Sequence, residues 1–256
     1  MSGAFAAGDL ALLLDRKGRQ YLITLAHGAE FHTHRGVVAH DSLIGHPEGT
    51  VVRSTLQTTF TVVRPTLADF VLKMPRGAQV IYPKDLGAIL LLADIRPGDH
   101  VLEAGVGSGA LSLALLRAGA IVVGYELRDD FAARAQSNVE RFLGPDALER
   151  YRVEARDVYE GIGETELDRI VLDVPEPWQV VKHAARALQP GGILLAYSPS
   201  VVQVAQMRDA LNDGPFGFAD TREVLHRGWH VDGAAVRPDH RMVAHTGFLT
   251  SARLLG

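Results

Sequence analysis

No cysteine occurs anywhere in the 256 residues, which excludes disulfides, zinc-thiolate centres and thiol nucleophiles. Long apolar runs are missing as well, and none approaches the roughly 20 residues that a membrane-spanning helix needs. Met1 to Gly8 has no basic segment ahead of an apolar one, so no secretory signal is expected. The setting these absences suggest is the cytoplasm, with no membrane partner. Positive charge is also in short supply. Lys and Arg number 26 against 30 Asp and Glu, a net charge of -4, whereas domains that neutralise nucleic-acid phosphates usually carry a basic excess. Any such contact must come from local clusters: Arg16, Lys17 and Arg19; Arg35 with His32 and His34; or Arg76 with Lys84. Each has a plain alternative as a solvated face.

What the chain does have is one stretch around which the rest is arranged, Val101-Leu102-Glu103-Ala104-Gly105-Val106-Gly107-Ser108-Gly109-Ala110-Leu111. Apolar residues lead into an acidic one, three glycines follow at alternate positions, and a helix-compatible run comes next, so the order reads strand, tight turn, helix. Glycines in such a turn let a nucleotide-type ligand lie close against the backbone. Gly105, Gly107 and Ala110 satisfy the dinucleotide pattern G-x-G-x-x-G/A, which leaves NAD open. Glu103 tilts the reading towards S-adenosylmethionine, because an anion there opposes a pyrophosphate but suits the cationic amino-acid end of that molecule. A glycine-rich turn with no ligand is the bland alternative.

At this length the chain suits one sizeable domain plus a smaller one. Residues 1–74 read as a small β-rich domain, with β-prone runs at Leu10 to Leu14, Gln20 to Leu25, Thr50 to Ser54 and Thr59 to Arg64 between turn signals. Within it, alternation along Phe31-His32-Thr33-His34-Arg35-Gly36 places His32 and His34 on one strand face. Two histidines without a third ligand nearby make a surface pair, so no metal site is expected. Residues 75–256 form the second domain. Asp85 is placed to cap a helix running to about Asp94, and strands and helices then alternate: strand 101–104, helix 108–118, strand 120–125, helix 129–143, strand 150–155, strand 169–173, helix 177–188, strand 192–197. A last helix opens at Ser200 with the capping-box pattern Ser200-x-x-Gln203. This is an α/β chain with a parallel sheet covered on both faces. Phe218 to Val231 and Met242 to Leu254 break the rhythm and are expected to pair as an antiparallel hairpin at one edge.

Ligands of an open α/β sheet lie beyond the carboxyl ends of its strands. Four acidic residues fall at those ends: Glu103, Glu126, Asp157 and Asp173. Glu126 stands about twenty residues after the first glycine, where a carboxylate can bind both ribose hydroxyls of an adenosine cofactor. Asp157 is placed to accept from the adenine amino group. Asp173 opens Asp173-Val174-Pro175-Glu176-Pro177-Trp178, whose prolines hold an extended loop. A carboxylate beside a stiff loop and an aromatic suits a planar base, which can donate an exocyclic amine and stack on a ring. Trp178 serves equally well as a helix residue packed on the sheet, leaving Tyr82 or Tyr197 to supply the stacking face.

Taken together, Gln79-Val80-Ile81-Tyr82-Pro83-Lys84-Asp85, Val101 through Gly109, Tyr125-Glu126, Leu172-Asp173 with Pro177-Trp178, and His245-Thr246-Gly247-Phe248-Leu249 resemble the tRNA adenine-N1 methyltransferases that modify position 58 of the T-loop. The likeness covers nearly the whole chain. It implies a class I SAM-dependent methyltransferase fold, Rossmann-like, with S-adenosylmethionine as cofactor, tRNA as partner and a homotetramer as the usual assembly. By position it also implies that Glu103, Gly105, Gly107, Ser108, Gly109, Ala110, Leu111, Glu126, Phe131, Asp157 and Asp173 belong to the cofactor site. Phe131 stands where relatives often have histidine. The resemblance gives Asp173 the catalytic role and sets Tyr82, Tyr197 and Gln79 on the substrate side.

Adenine N1 already carries an in-plane lone pair, so its methylation needs positioning rather than deprotonation. Two rivals stay open on sequence alone: a methyltransferase of this fold acting on a small molecule or protein, and an RNA-binding subunit without chemistry. The intact Gly105, Gly107, Glu126 and Asp173 weigh against the second.

Overall fold

A computed structural model describes residues 3–77 and 79–256. The chain divides into two compact units between Met74 and Pro75. In the first, β1 (Leu10–Asp15) is a continuous apolar run, as befits a central strand. It pairs antiparallel with β2 (Gln20–Thr24) on one side. A hairpin follows, β3 (Glu30–Thr33) with β4 (Gly36–Ala39), and then β5 (Val51–Arg53) and β6 (Thr59–Val63). β6 covers the other side of β1, giving the order β2-β1-β6-β5. Phe5, Leu13, Leu25, Val38, Leu43 and Phe60 close the core beneath. The strand pattern leaves out one element: α1 (Leu67–Lys73), which Thr66 and Asp69 start with a reciprocal capping box.

The second unit opens with α2 (Pro83–Leu92). β7 (His100–Ala104), α3 (Ala110–Arg117), β8 (Ile121–Tyr125), α4 (Asp129–Leu143), β9 (Tyr151–Glu154) and β10 (Leu167–Leu172) follow. A 3-10 turn at Pro177–Val180 leads into α5 (Val181–Ala187), then β11 (Leu188–Ser198), α6 (Val201–Asp213) and β12 (Phe216–Glu223). Last come the small hairpin β13 (Trp229–Asp232) and β14 (Ala235–Pro238), and β15 (Phe248–Leu254). The main sheet has the order β12-β15-β11-β10-β7-β8-β9. Its pairs from β11 to β9 are parallel, and their buried aliphatic runs fit a sheet covered on both faces.

Strand order reverses between β7 and β10. The chain leaves β7 for β8 and β9 on one side, then returns to β10 and β11 on the other, so the crevice for a ligand falls at the carboxyl ends of β7 and β10. β15 runs antiparallel between β11 and β12. The expected edge hairpin is therefore present, but it is shorter than 218–231 paired with 242–254, because the chain leaves the sheet after Glu223 to make β13 and β14.

Three local expectations are corrected. Asp85 does not cap α2; Tyr82 occupies that position, and Asp85 is fully buried in the first turn. The segment after Glu176 starts as a 3-10 turn over Pro177–Val180 and becomes α-helical only at Val181. His34 leaves the face of His32 and lies in the β3–β4 turn. Among the described residues, no helix is long and apolar enough to cross a membrane, and no three His, Asp or Glu residues are grouped to hold a metal ion.

Ser200 accepts from the Val202 amide and Gln203 reaches back to the Ser200 amide, as the sequence pattern predicts. Ser200→Ala is expected to lower the unfolding free energy by ~1 kcal/mol, seen as an earlier urea midpoint with the transition slope retained.

Candidate active site

β7 and β10 lie side by side, and the Asp173 amide continues their ladder by donating to the Ala104 carbonyl at 2.9 Å. The chain then turns at Gly105, with φ +83°. A Cβ at this position would fall 2.0 Å from the Asp173 carbonyl oxygen. Only glycine permits that approach, and it brings the two strand ends into one place.

Two cavities meet there. One, of about 180 Å³, is lined by Glu126, Asp157, Tyr125, Tyr159 and Val174 together with Gly105 and Asp173. The other is narrower and is lined by Glu103, Gly107, Ser108, Ala110, Leu111 and Gln79, again with Gly105 and Asp173. Thus the structure gathers all four strand-end carboxylates, and Asp173 touches both spaces. Among the described residues, and apart from its chain neighbours, no atom lies within 4 Å of where a Gly107 side chain would begin, so the glycine turn is open on that side. Gly109 starts α3 and packs against Ala135 of α4, a helix-packing position.

The carboxylates are held differently. Glu126 accepts from the Gly107 amide at 2.9 Å through one oxygen and from the Arg128 amide at 3.0 Å through the other, each oxygen keeping a second lone pair. Asp157 accepts from the Tyr159 amide at 2.9 Å. Glu103 has 0% exposure. Its Oε2 accepts from the Ser112 hydroxyl at 2.6 Å, and its Oε1 is buried without a partner among the described residues. Burial pushes the Glu103 carboxyl up to about 8, against the opposing pull of the Ser112 hydrogen bond. Burial likewise raises Asp173 to about 7. The loop after Asp173 is clamped from two sides: Gln203 donates to the Pro175 carbonyl at 2.7 Å, and the Glu176 amide donates to the Tyr159 hydroxyl at 2.9 Å.

The remaining candidates stand around this centre. Tyr82 and Tyr197 line neither cavity, and Tyr197 belongs to a second, buried cluster. Lys84 Nζ reaches Asp85 at 2.8 Å, Thr246 at 2.5 Å and the Val224 carbonyl at 2.7 Å. Thr246 in turn donates to Asp85 at 2.6 Å, and the Tyr197 hydroxyl donates to the Thr246 carbonyl at 2.6 Å. Burial pushes the Tyr197 phenol up to about 12, helped by the charges of Asp85 and Asp173. The Tyr-Pro-Lys-Asp and His-Thr-Gly segments, distant in sequence, therefore close on each other around one buried ion pair. Phe131 lies outside both cavities with the Arg128 guanidinium 3.8 Å from its ring centre. Trp178 packs on the core of the second unit.

Sequence reasoning missed the supports behind the site. Ser112 bridges Glu103 and the buried Tyr151 hydroxyl; the one available signal was a serine inside the otherwise apolar run Ala110 to Leu116. Asn138 ties the Ser108 carbonyl and the Pro75 carbonyl with two 3.0 Å bonds, and nothing in its local sequence marks it.

The family model described as tRNA methyltransferase complex GCD14 subunit matches residues 59–235, and the TrmI-like N-terminal model matches residues 3–52. A Thermus thermophilus protein named tRNA (adenine(58)-N(1))-methyltransferase TrmI is 40% identical over 246 residues, covering 94% of this chain and 95% of its own. Among solved structures, a SAM-dependent O-methyltransferase of Thermotoga maritima superposes with TM-score 0.94 at 31% identity, over 99% of this chain and 96% of its own. The tRNA (m1A58) methyltransferase TrmI of Aquifex aeolicus superposes with TM-score 0.86 at 28% identity, over 99% of both chains.

Glu103 keeps its proton up to about pH 8 when folded, whereas its ordinary value is 4.5. Between those values the unfolded chain sheds a proton that the folded chain retains, so this group makes stability fall as pH rises from about 5 to 8. Glu103→Gln is expected to flatten that slope in urea denaturation measured across the window; an unchanged slope refutes the neutral buried carboxyl.

Proposed function

The chain belongs to the TrmI family of tRNA (adenine-N1)-methyltransferases, and we propose that it uses S-adenosylmethionine to methylate N1 of adenosine 58 in the T-loop of tRNA. The observation that carries this reading is the pair of cavities joined at Gly105 and Asp173, at the point where the strand order reverses. One space suits an adenosine and the other an amino-acid end, leaving the junction for the reacting atoms.

The residues present fit that cofactor. Oε1 of Glu103 is an orphaned polar atom beside the glycine turn, suited to a cationic group. Glu126 retains lone pairs for ribose hydroxyls, and Asp157 stands in the same cavity for the adenine amine. Gly105, Gly107, Ser108, Gly109, Ala110 and Leu111 form the turn against which it lies, and Phe131, in the first turn of α4, follows Glu126 closely in the chain. When bound, S-adenosylmethionine supplies an electrophilic methyl group on sulfur.

Asp173 is the catalytic residue in this proposal. Its carboxylate accepts a hydrogen bond from the adenine N6 amine, turns N1 towards the donor and offsets the positive charge the ring gains. Tyr82 and Tyr197 offer ring faces to the flipped base. Gln79, at the rim of the narrower cavity, reaches the substrate side of the junction. The assembly we propose is a homotetramer in the cytoplasm. Exposure of Trp229, Val231 and Val236 on the β13–β14 hairpin supports a self-association that covers them, and the lack of cysteine agrees with a reducing compartment.

Methyl transfer from radiolabelled S-adenosylmethionine to tRNA, followed by nucleoside mapping, tests the reaction; label appearing only in protein or metabolite pools overturns it. Asp173→Ala is expected to lower kcat on tRNA about 100-fold or more. Since only the ionised form carries the negative charge that offsets the charge the ring gains, activity should rise with pH through about 7, and Asp173→Asn should remove that rise. Near-normal turnover of Asp173→Ala refutes the role. Light scattering should give about four times the 27.7 kDa chain mass, and a monomer mass refutes the tetramer.

A further inference from the structure

Two basic clusters that are separate in the sequence converge on the N-terminal unit. Arg16, Lys17, Arg19 and Arg35 line a single cavity of about 350 Å³, together with Asp15, Gln57, Thr58 and Thr59. The unit has seven Lys and Arg residues against six Asp and Glu, and four of those seven cations face this one space. Asp15 is the only carboxylate among the lining residues. Local charge is therefore strongly positive on a chain whose net charge is -4.

The cavity is built by three turns brought to the same end of the sheet. β1 and β6 run antiparallel with Asp15 opposite Phe60, so the β1–β2 and β5–β6 turns share that end. Asp15, 7% exposed, organises the first. Its Oδ1 accepts from the Lys17 and Arg19 amides at 2.8 and 3.0 Å, and its Oδ2 from Arg19 Nε at 2.6 Å. Arg19 also donates to His34 Nε2 at 2.9 Å, which links the β3–β4 turn. That turn is locked to the third by Ser54, which donates to the Arg35 carbonyl at 2.5 Å, and by Thr55, which accepts from the Val37 amide at 3.0 Å. A Cβ on Gly36 would meet the Leu56 amide nitrogen at 2.7 Å, so glycine lets the two turns close and sets Arg35 over the cavity. Among the described residues, Arg16, Lys17 and Arg35 have no ion-pair partner. Three unneutralised cations held on a braced scaffold, in a cavity that Thr58 and Thr59 also line, are a donor set that recognises phosphate oxygens.

We propose that this cavity is a backbone-phosphate subsite for tRNA, with Arg16, Lys17 and Arg35 as the ligating cations and Arg19 as the residue that positions the turn. The proposal rests on tRNA being the substrate, and it assigns the N-terminal unit a defined part in holding it. Such contacts carry no base information; they set affinity and register.

The test measures tRNA binding by fluorescence anisotropy across a salt series, with S-adenosylmethionine binding followed by calorimetry. Arg16→Ala with Arg35→Ala is expected to weaken tRNA binding about tenfold or more near physiological salt, and to reduce the slope of log affinity against log salt by about 1.4 to 1.8, the loss of two phosphate contacts. S-adenosylmethionine affinity should stay within twofold. Arg16→Lys with Arg35→Lys, which keeps both charges, should retain the wild-type slope. Wild-type tRNA affinity and slope in the alanine pair overturn the proposal, as does a lost slope in the lysine pair. Inorganic phosphate and tripolyphosphate form the competing arm: if the alanine pair loses their binding but keeps that of tRNA, the cavity serves a free anion and the tRNA assignment fails. Binding is read without turnover, so a protein that binds tRNA through this cavity yet transfers no methyl group refutes the proposed reaction and leaves the subsite standing.

Discussion

The contact on which the catalytic unit depends is the one between Gly105 and the Asp173 carbonyl. A side chain at 105 would begin 2.0 Å from that oxygen, so the glycine is fixed by sterics before any ligand is considered. Its consequence is topological. The ends of β7 and β10 can lie against each other at the reversal of strand order, and a carboxylate from one strand reaches the cavity built by the turn of the other. Were the two ends held apart, the spaces lined by Glu126 and by Glu103 would be separate pockets with nothing shared.

The energetic character of the site follows from how dry it is. Glu103 and Asp173 are both raised by burial, to about 8 and about 7. At neutral pH the first is a neutral carboxyl and the second is poised between its two forms. A site of this kind sacrifices stability at higher pH for a cluster of acids whose charge responds to what is bound nearby. The arrangement tolerates this because the surrounding groups are fixed: Ser112 and Tyr151 behind Glu103, Gln203 and Tyr159 on the loop after Asp173. Away from both cavities, Lys84, Asp85 and Thr246 form a second fixed cluster. A buried ion pair of this type contributes more to the uniqueness of one arrangement than to net stability, and here the arrangement places the start of α2 against the segment leading into β15.

The N-terminal unit obeys a different logic. Its core is small, and its definition comes from hairpins whose turns are pinned to each other by Asp15, Ser54 and Thr55. Scattered basic residues on an acidic chain thereby become one electropositive face, which a count of charges along the sequence cannot reveal.

Much of this was legible beforehand. The alternation of β-prone and helical segments gave the parallel sheet, the capping box at Ser200 gave the start of α6, and the residue types at four strand ends marked carboxylates that the fold gathers around two adjoining cavities. These succeed because periodicity, capping and glycine spacing act over a few neighbouring residues. The same local logic misread Asp85 as a cap, since nothing nearby in sequence shows that Lys84 and the distant Thr246 will bury it. It also gave Tyr82 and Tyr197 no fixed place, and it overlooked Asn138, whose partners lie 30 and 63 residues away. By itself, then, the sequence determined the elements, their order and the chemistry available at the strand ends. Which carboxylates become neutral, which glycine is indispensable and which cations share a cavity were decided only by tertiary structure, because desolvation, steric exclusion and charge convergence depend on residues that the chain brings together from far apart.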